Sequence, residues 1–135
     1  MIRYLNTDLE LLSPADLGPL VAAFEERGLI TLHCGQREDG SWEAYLETEA
    51  QYDAPEPNIA AILAAVEALP GPVAALWAGC TNRGFSIGYE GGNAPRALQQ
   101  KLSSRLLGRV AALGGCIGIA IYAPDGIVAP GEPSG

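Results

Sequence analysis

One histidine, His33, and its neighbour Cys34 are the residues whose types most suggest acid-base or nucleophilic chemistry. A histidine activates a cysteine only when the two side chains lie within hydrogen-bonding distance. The segment around them is predicted to be a β-strand, in which adjacent side chains point to opposite faces of the sheet. Cys80 or Cys116 would have to approach His33 from another strand, and nothing in the sequence requires that. We therefore expect an ordinary surface histidine beside a core cysteine, and no catalytic residue.

The other motifs that carry chemistry lack their essential parts. A zinc site needs four convergent ligands at recognisable spacing, whereas this chain has one histidine and three scattered cysteines. The glycine-rich residues 88–93 contain neither the lysine of a phosphate-binding loop nor a dinucleotide pattern. Glu43 and Glu47 are a pair of the type that glycosidases use, but they are predicted on one outward strand face, where acids are normally solvated. We expect no metal and no cofactor.

The composition is typical of one small globular domain with an acidic surface. Of 135 residues, 48% are hydrophobic and 18% are charged. No apolar run reaches the roughly 18 to 20 residues of a membrane span. The net charge of −8 argues against nucleic acid, which is bound by basic surfaces. The absence of a secretory pattern at the start, together with three cysteines at no ligand spacing, predicts a cytoplasmic protein with reduced thiols.

The charge is unevenly distributed along the chain. Residues 38–82 contain eight acidic residues and no lysine or arginine, whereas residues 83–109 contain five basic residues against one acid, Glu90. Such a distribution either keeps the surface solvated or attracts a basic partner.

Hydrophobic periodicity predicts an α+β domain with the order β-α-β-β-α-β-α-β. Strands are expected over residues 2–12, 29–34, 41–48, 82–90 and 116–122, and helices over 13–28, 58–69 and 103–113, with Ser13 and Ser103 as N-caps. Residues 73–77 fit either a short helix or a connection. Because most strands alternate polar and apolar residues, we expect a two-layer sandwich: a mixed five-strand sheet with about three helices on one face. The domain is predicted to span residues 1–122, followed by a Pro/Gly-rich tail over 123–135.

The second half of the chain carries a recognisable succession of structural motifs. They are the strand Phe85-Ser86-Ile87-Gly88-Tyr89, the loop Gly92-Asn93-Ala94-Pro95, the Ser103-capped helix over residues 102–114, and the strand Ile117-Gly118-Ile119-Ala120-Ile121-Tyr122. In this succession, and in its early helix start over residues 12–17, the chain resembles an uncharacterised family of small bacterial domains of unknown function. The resemblance implies a fold and a bacterial origin, and it supplies no active site. Some similar small acidic bacterial proteins are immunity proteins for secreted toxins.

The uncovered face of the predicted sheet is the best candidate for a binding surface. The predicted partner-binding residues on it are Tyr4, Asp8, Glu10, His33, Glu43, Tyr45, Glu47, Glu90 and Tyr122, and Asn6, Thr31, Ser86, Gly88 and Gly118 are expected beside them. Tyrosines offer rigid contact area, and carboxylates steer a basic partner. Each assignment depends on the strand register, since a slip of one residue moves a side chain to the other face.

Three hypotheses follow for this face. The first is a non-enzymatic protein-binding domain, most concretely a bacterial immunity or inhibitor protein that masks a basic or catalytic surface of a partner, possibly a toxin. The second is a small-molecule-binding domain or minor enzyme with a pocket near His33, Gly88 and Gly118. The third is a homodimer formed through the open face, to which the excess of carboxylates is an objection.

Overall fold

The alternating and helix-periodic segments fold into a sheet and one layer of helices in a computed structural model that describes residues 1–124. The strands are β1 (Arg3–Ser13), β2 (Leu29–Gln36), β3 (Trp42–Thr48), β4 (Asn82–Glu90) and β5 (Cys116–Tyr122). The helices are α1 (Gly18–Glu25), α2 (Pro55–Glu67), α3 (Gly71–Ala78) and α4 (Ser104–Ala112). Of the predicted tail, Ala123 and Pro124 have no regular structure, and residues 125–135 lie outside the described part.

β1 is the central strand of a sheet with the order β2-β3-β1-β4-β5. The pairs β2/β3, β3/β1 and β1/β4 are antiparallel, whereas β4 and β5 are parallel. Parallel neighbours need a crossover connection, which α4 supplies. The predicted α+β class with a mixed five-strand sheet is therefore confirmed. Residues 73–77, which fitted two interpretations, belong to α3, so the helical layer has four members within residues 1–124.

The core lies between the sheet and the helices. Its largest fully buried side chains are Leu9, Leu11, Leu46 and Phe85 from the sheet and Leu20, Phe24, Ile59, Ile62 and Leu63 from the helices. Burial of each such side chain stabilises the fold by about 1.5 to 3 kcal/mol. Because these strand residues alternate with polar ones, their burial fixes which side chains remain on the opposite, open face. None of the described helices is long and apolar enough to cross a membrane.

The two predicted serine caps have different outcomes. Ser103 is the N-cap of α4, and its Oγ accepts a hydrogen bond from the Leu106 N–H at 3.1 Å, as predicted. The prediction for Ser13 is wrong, because this residue still belongs to β1 and pairs with Trp42. The Ser13 Oγ accepts a hydrogen bond from the Ala15 N–H at 3.1 Å, so it stabilises a tight turn instead of capping a helix. Helix α1 begins only at Gly18.

Two irregularities in the strand pairing decide which side chains reach the open face. The register of β1 against β4 shifts between Tyr4 and Asn6, and the register of β2 against β3 shifts between Thr31 and His33. Each shift inserts one extra residue, so the side chains on its two sides no longer alternate regularly. Asn6 and His33 lie on the open face, whereas Tyr4 and Thr31 lie on the helix side.

The prediction that Tyr4 belongs to the open face is therefore wrong. Its hydroxyl donates to Asn58 Oδ1 at 2.7 Å and hydrogen-bonds with Thr7 Oγ1 at 2.6 Å. Burial raises the pKa of the Tyr4 hydroxyl to about 12. The same correction applies to Thr31, whose hydroxyl donates to Glu25 Oε2 of α1 at 3.0 Å. Strict alternation cannot reveal such a bulge, because it assumes one residue opposite each partner.

Candidate protein-binding face

The acidic face is the part of the open sheet surface formed by Asp8, Glu10, Glu43, Tyr45 and Glu47. These residues lie on the two adjacent strands β1 and β3, where Asp8 is opposite Glu47 and Glu10 is opposite Tyr45. The intervening residues of both strands are buried in the core, so the acidic side chains have no other face to occupy. The structure thus brings together four predicted carboxylates and one predicted tyrosine.

Asp8 and Glu47 are cross-strand neighbours of like charge, which is an unfavourable arrangement in an antiparallel pair. The amide of Asn6 contacts both, since its Nδ2 donates to Asp8 Oδ1 at 2.7 Å and to Glu47 Oε2 at 3.2 Å. Partial burial, reinforced by the charges of Glu47 and Glu10, raises the pKa of Asp8 to about 6. A cation placed beside this pair would relieve the repulsion.

We expect Asp8→Asn to raise the free energy of unfolding at pH 7 by about 1 to 2 kcal/mol. The rise of the Asp8 pKa from 3.8 to about 6 sets an upper bound of about 3 kcal/mol, which solvent screening reduces. Because folded Asp8 binds its proton more tightly than the unfolded chain does, its contribution to stability is fully present below about pH 4 and is lost as the pH rises through 6.

Urea denaturation between pH 4 and 7 measures this effect. The stability gain from Asp8→Asn should grow across that range, and Asp53→Asn, which removes an exposed acid outside the acidic face, is the control. A gain that does not vary with pH would contradict the proposed repulsion at Asp8.

In the described part of the chain, the carboxylates of the acidic face have no lysine or arginine to neutralise them. Within residues 1–124, no lysine or arginine nitrogen forms an ion pair with Asp8, Glu10, Glu43 or Glu47. Glu43 instead contacts His33 Nε2 at 3.3 Å and accepts a hydrogen bond from the Tyr45 hydroxyl at 3.1 Å. Burial, followed by the hydrogen bond to Glu43, raises the pKa of Tyr45. The face therefore carries concentrated negative charge beside a tyrosine ring.

A recess of about 320 Å³ adjoins the acidic face near Glu47. The residues that line it include the acids Glu47 and Glu49, the apolar residues Leu5 and Ile30, and the aromatic Tyr52. Arginine and lysine side chains complement this lining, because each joins an apolar stem to a positively charged end. The recess therefore has the chemistry of a receptor for a single basic side chain.

On its other side, the acidic face is bordered by a floor of small residues. Gly84, Ser86 and Gly88 of β4 and Gly118 of β5 occupy the open-face positions there. A Cβ added at Gly118 would meet no atom within 4 Å, so the surface above it is open. Small residues allow the main chain of a partner to approach the sheet closely.

Glu90 and Tyr122 lie at the rim of the open face. Glu90 is paired with Arg3, whose Nε lies 3.2 Å from Glu90 Oε1, so its charge is compensated. Tyr122 is 57% exposed, and its ring approaches the surface of Gly88. Both residues are on the predicted face, but the unpaired charge is concentrated away from them.

The residues of the predicted small-molecule pocket do not converge. His33 is on the edge strand β2, whereas Gly88 is on β4 and Gly118 is on the opposite edge strand β5. At roughly 4.8 Å per strand, Gly88 and Gly118 lie at least about 14 Å and 19 Å from His33. The sheet order therefore gives no support to a shared pocket near these three residues, and the small-molecule hypothesis stays a prediction. In the described part of the chain, no cluster of three or more His, Cys, Asp or Glu side chains could hold a metal ion.

The cysteines are also separated from His33. Cys34 lies on the helix side and packs against the core, as strand alternation predicted. Cys116 is on the open face but four strands away, where its Sγ contacts Asn82 Oδ1 at 3.6 Å. Cys80 is buried beside α3. The geometry provides no cysteine-histidine pair among them.

Two parts of this surface could not be predicted from the amino-acid pattern. The bridging role of Asn6 depends on the register that places Asp8 opposite Glu47. Ile30 and His33 share the open face because the bulge between Thr31 and His33 adds one residue, whereas strict alternation from an outward His33 places Ile30 on the helix side. The hairpin turn and the alternation of β3, by contrast, were sufficient to find Glu43, Tyr45 and Glu47.

No protein-family model, curated protein or solved structure matches this chain. The fold and the site together define an α+β domain with helices on one side of a mixed sheet and an acidic surface on the other. The resemblance of its second half to an uncharacterised bacterial family stays a prediction.

Proposed function

We propose that this chain is a non-enzymatic protein-binding domain whose acidic face covers a basic surface of a partner protein. In its most concrete form it is a cytoplasmic immunity or inhibitor protein that masks a basic or catalytic surface. The observation that carries the proposal is the group of four carboxylates, Asp8, Glu10, Glu43 and Glu47, which has no lysine or arginine paired with it in the described residues.

The electrostatic energy of these four carboxylates favours the binding of a cationic partner. Partial burial, reinforced by the charges of Glu47 and Glu10, makes ionised Asp8 unfavourable in the free protein and raises its pKa. A guanidinium or ammonium group at this position would interact with the carboxylates of Asp8 and Glu47 and remove part of their repulsion. The same charges accelerate the encounter with a basic surface, at a rate that falls as salt is added.

The recess beside Glu47 gives the interaction a defined anchor. An arginine inserted there would place its stem against Leu5 and Ile30 and its guanidinium near Glu47 and Glu49. The tyrosine ring of Tyr45 adds rigid contact area between the carboxylates. The adjoining floor of small residues leaves room for the partner's main chain. These features support the recognition of an arginine-bearing protein surface.

Binding of an oligoarginine peptide tests the proposal. Neutralising the face with Glu10→Gln, Glu43→Gln and Glu47→Gln is expected to weaken binding at least about tenfold, or about 1.4 kcal/mol. The matched control removes three exposed acids elsewhere, through Glu26→Gln, Glu38→Gln and Asp53→Asn. This control has the same net charge as the face variant, so it separates the local arrangement from the overall charge.

Isothermal titration at two salt concentrations measures both variants. The control should lose less than about threefold in affinity, since screening limits the effect of distant charges. Equal losses of affinity in the two variants would show that peptide binding depends only on net charge. That result would contradict the assignment of the acidic face as the binding surface. Oligolysine serves as a second probe, because it lacks the planar group that pairs with two carboxylates at once.

A further inference from the structure

We infer that the outer edge of β5 pairs with the same edge of a second copy of this chain, which forms a dimer with one continuous sheet. β5 is the last strand in the sheet order, and within residues 1–124 no strand lies beyond it. Alternate N–H and C=O groups of an edge strand point away from the sheet and are available to a further strand. This surface is distinct from the acidic face.

The two edges of the sheet differ in how well they resist such pairing. The edge strand β2 is interrupted by the register shift between Thr31 and His33, and a bulge of this kind disfavours pairing. β5 is regular over its whole pairing with β4. Its sequence, Cys-Ile-Gly-Ile-Ala-Ile-Tyr, has no charged residue and no proline. Within residues 1–124, β5 therefore carries no charge, proline or bulge that would protect its edge.

Apolar side chains beside this edge are left uncovered. Ile119 is 67% exposed and Ile121 is 72% exposed, although both point to the helix side of the sheet. Helix α4 buries Leu106 and Val110 but leaves Ile119 and Ile121 uncovered. Both isoleucines line a groove of about 510 Å³, and Leu98 is also among its lining residues.

The pattern of β5 is complementary to itself. Ile119 is the midpoint of Cys116–Tyr122, so the antiparallel register with the longest overlap places Ile119 opposite Ile119 of the second copy. The same register places Ile117 opposite Ile121 and Gly118 opposite Ala120. Residues directly opposite in an antiparallel pair share a face. All isoleucines therefore meet on the helix side, and the small residues meet on the open side.

Charge favours this edge as the place where two acidic copies can meet. The chain carries a net charge of −8, which opposes association elsewhere, but β5 and the lining of its groove contain no charged side chain. Glu90, beside the end of β5, is paired with Arg3. Pairing of the strands and grooves would bury on the order of 1,000 Å² in total, near the lower limit of a specific interface. We expect a dissociation constant in the micromolar range.

Sedimentation equilibrium of the full chain tests the dimer. The wild-type protein is expected to dimerise, and added salt should strengthen the dimer because it screens the net charge. Ile119→Lys should weaken dimerisation at least about tenfold, since it places two ammonium groups opposite each other across the interface. Leu32→Lys is the matched control, because Leu32 is 50% exposed on the opposite edge strand. It should leave the dimer unchanged.

Disulfide cross-linking provides a second measurement that does not depend on how Ile119→Lys folds. In a Cys116→Ser background, Ile119→Cys should form a covalent dimer under mild oxidation with oxidised glutathione. Opposite Cα atoms at about 4.5 to 5.5 Å are close enough for a disulfide. Leu32→Cys in the same background should not form one.

Three outcomes would overturn the inference. One is a wild-type chain that stays monomeric. If the double variant Ile127→Asp, Val128→Asp of that chain then dimerises, the result assigns the groove to the C-terminal residues instead of a second copy. Another is a dimer that Leu32→Lys disrupts and Ile119→Lys does not. The third is equal cross-linking at the two edges. Binding of oligoarginine weakens with salt whereas the dimer strengthens, so failure of this inference is distinguishable from failure of the proposed function.

Discussion

Replacement of Asn58 by alanine is expected to lower the free energy of unfolding by about 3 to 4 kcal/mol. Asn58 is in the first part of α2 and is 2% exposed. Its Oδ1 accepts hydrogen bonds from the Tyr4 hydroxyl at 2.7 Å and from the Thr7 N–H at 3.0 Å, and its Nδ2 donates to Thr48 Oγ1 at 2.9 Å. One side chain thus joins α2 to both β1 and β3.

The size of the effect follows from the groups that Asn58→Ala would leave without partners. The pairing of β1 with β3 begins at Asp8 and Glu47, so the N–H of Thr7 lies just beyond the ladder. Thr7 is fully buried, and an unsatisfied buried N–H costs about 1 to 3 kcal/mol. The loss of the hydrogen bonds to Tyr4 and Thr48 adds about 1 kcal/mol each at most.

Urea denaturation at neutral pH checks this expectation, with Tyr4→Phe as the matched control. That control removes one hydroxyl and retains the contact between Asn58 and the backbone of Thr7, so it should cost only about 1 kcal/mol. Equal effects of Asn58→Ala and Tyr4→Phe would contradict the role assigned to the buried amide.

Arg83→Ala is expected to cost about 2 to 3 kcal/mol of stability, the second largest effect. The guanidinium Nη1 donates to the carbonyl oxygens of Trp77 at 2.9 Å and Cys80 at 2.7 Å, and Nε donates to the carbonyl of Gly114 at 3.2 Å. These carbonyls include acceptors at the C-terminal end of α3, where a positive charge also interacts favourably with the helix dipole. Arg83 therefore joins the end of α3 to the turn before β5.

Arg83→Lys distinguishes the effect of the positive charge from the effect of the guanidinium hydrogen bonds. Lysine keeps the charge near the end of α3 but cannot donate in several fixed directions at once, so it should restore less than half of the stability lost in Arg83→Ala. Thermal and urea denaturation of both variants measure this difference. Full restoration by lysine would contradict the importance of the planar hydrogen bonds.

The sequence was informative about structure where local signals and burial agree. Strands β4 and β5 occupy the predicted residues because their alternation is regular and glycine or proline residues follow or precede them. Ser103 caps α4 because its side chain is placed to accept the free Leu106 N–H. Ser13 has the same local signal, but pairing with Trp42 extends β1 through it.

Other features depend on contacts that no local pattern encodes. The bulge near Tyr4 appears only when β1 is paired with β4, so the helix-side position of Tyr4 could not be read from alternation. The isoleucines of β5 alternate as predicted, yet Ile119 and Ile121 are exposed because coverage depends on where α4 lies above the sheet. Arg83 looked like part of a basic segment, but its guanidinium is engaged with backbone carbonyls.

The candidate site was predictable to the extent that β3 is regular. The alternation of β3 placed Glu43, Tyr45 and Glu47 on one surface and that of β1 placed Asp8 and Glu10 there, and the register of the two strands makes them neighbours. The sequence could not show that these acids lack arginine partners, because that depends on where distant basic residues lie in the fold. This absence of compensation in the described chain is what distinguishes the acidic face from an ordinary solvated surface.

The central claim is that the acidic face binds a basic protein surface, and a nuclear magnetic resonance titration of the ¹⁵N-labelled chain with oligoarginine tests it most directly. The claim predicts that amide shifts change first at Asn6, Asp8, Glu10, Tyr45 and Glu47, and that Ile119 and Ile121 are unaffected at the same peptide concentration. Shifts spread evenly over all acidic residues, or concentrated at β5, would contradict it.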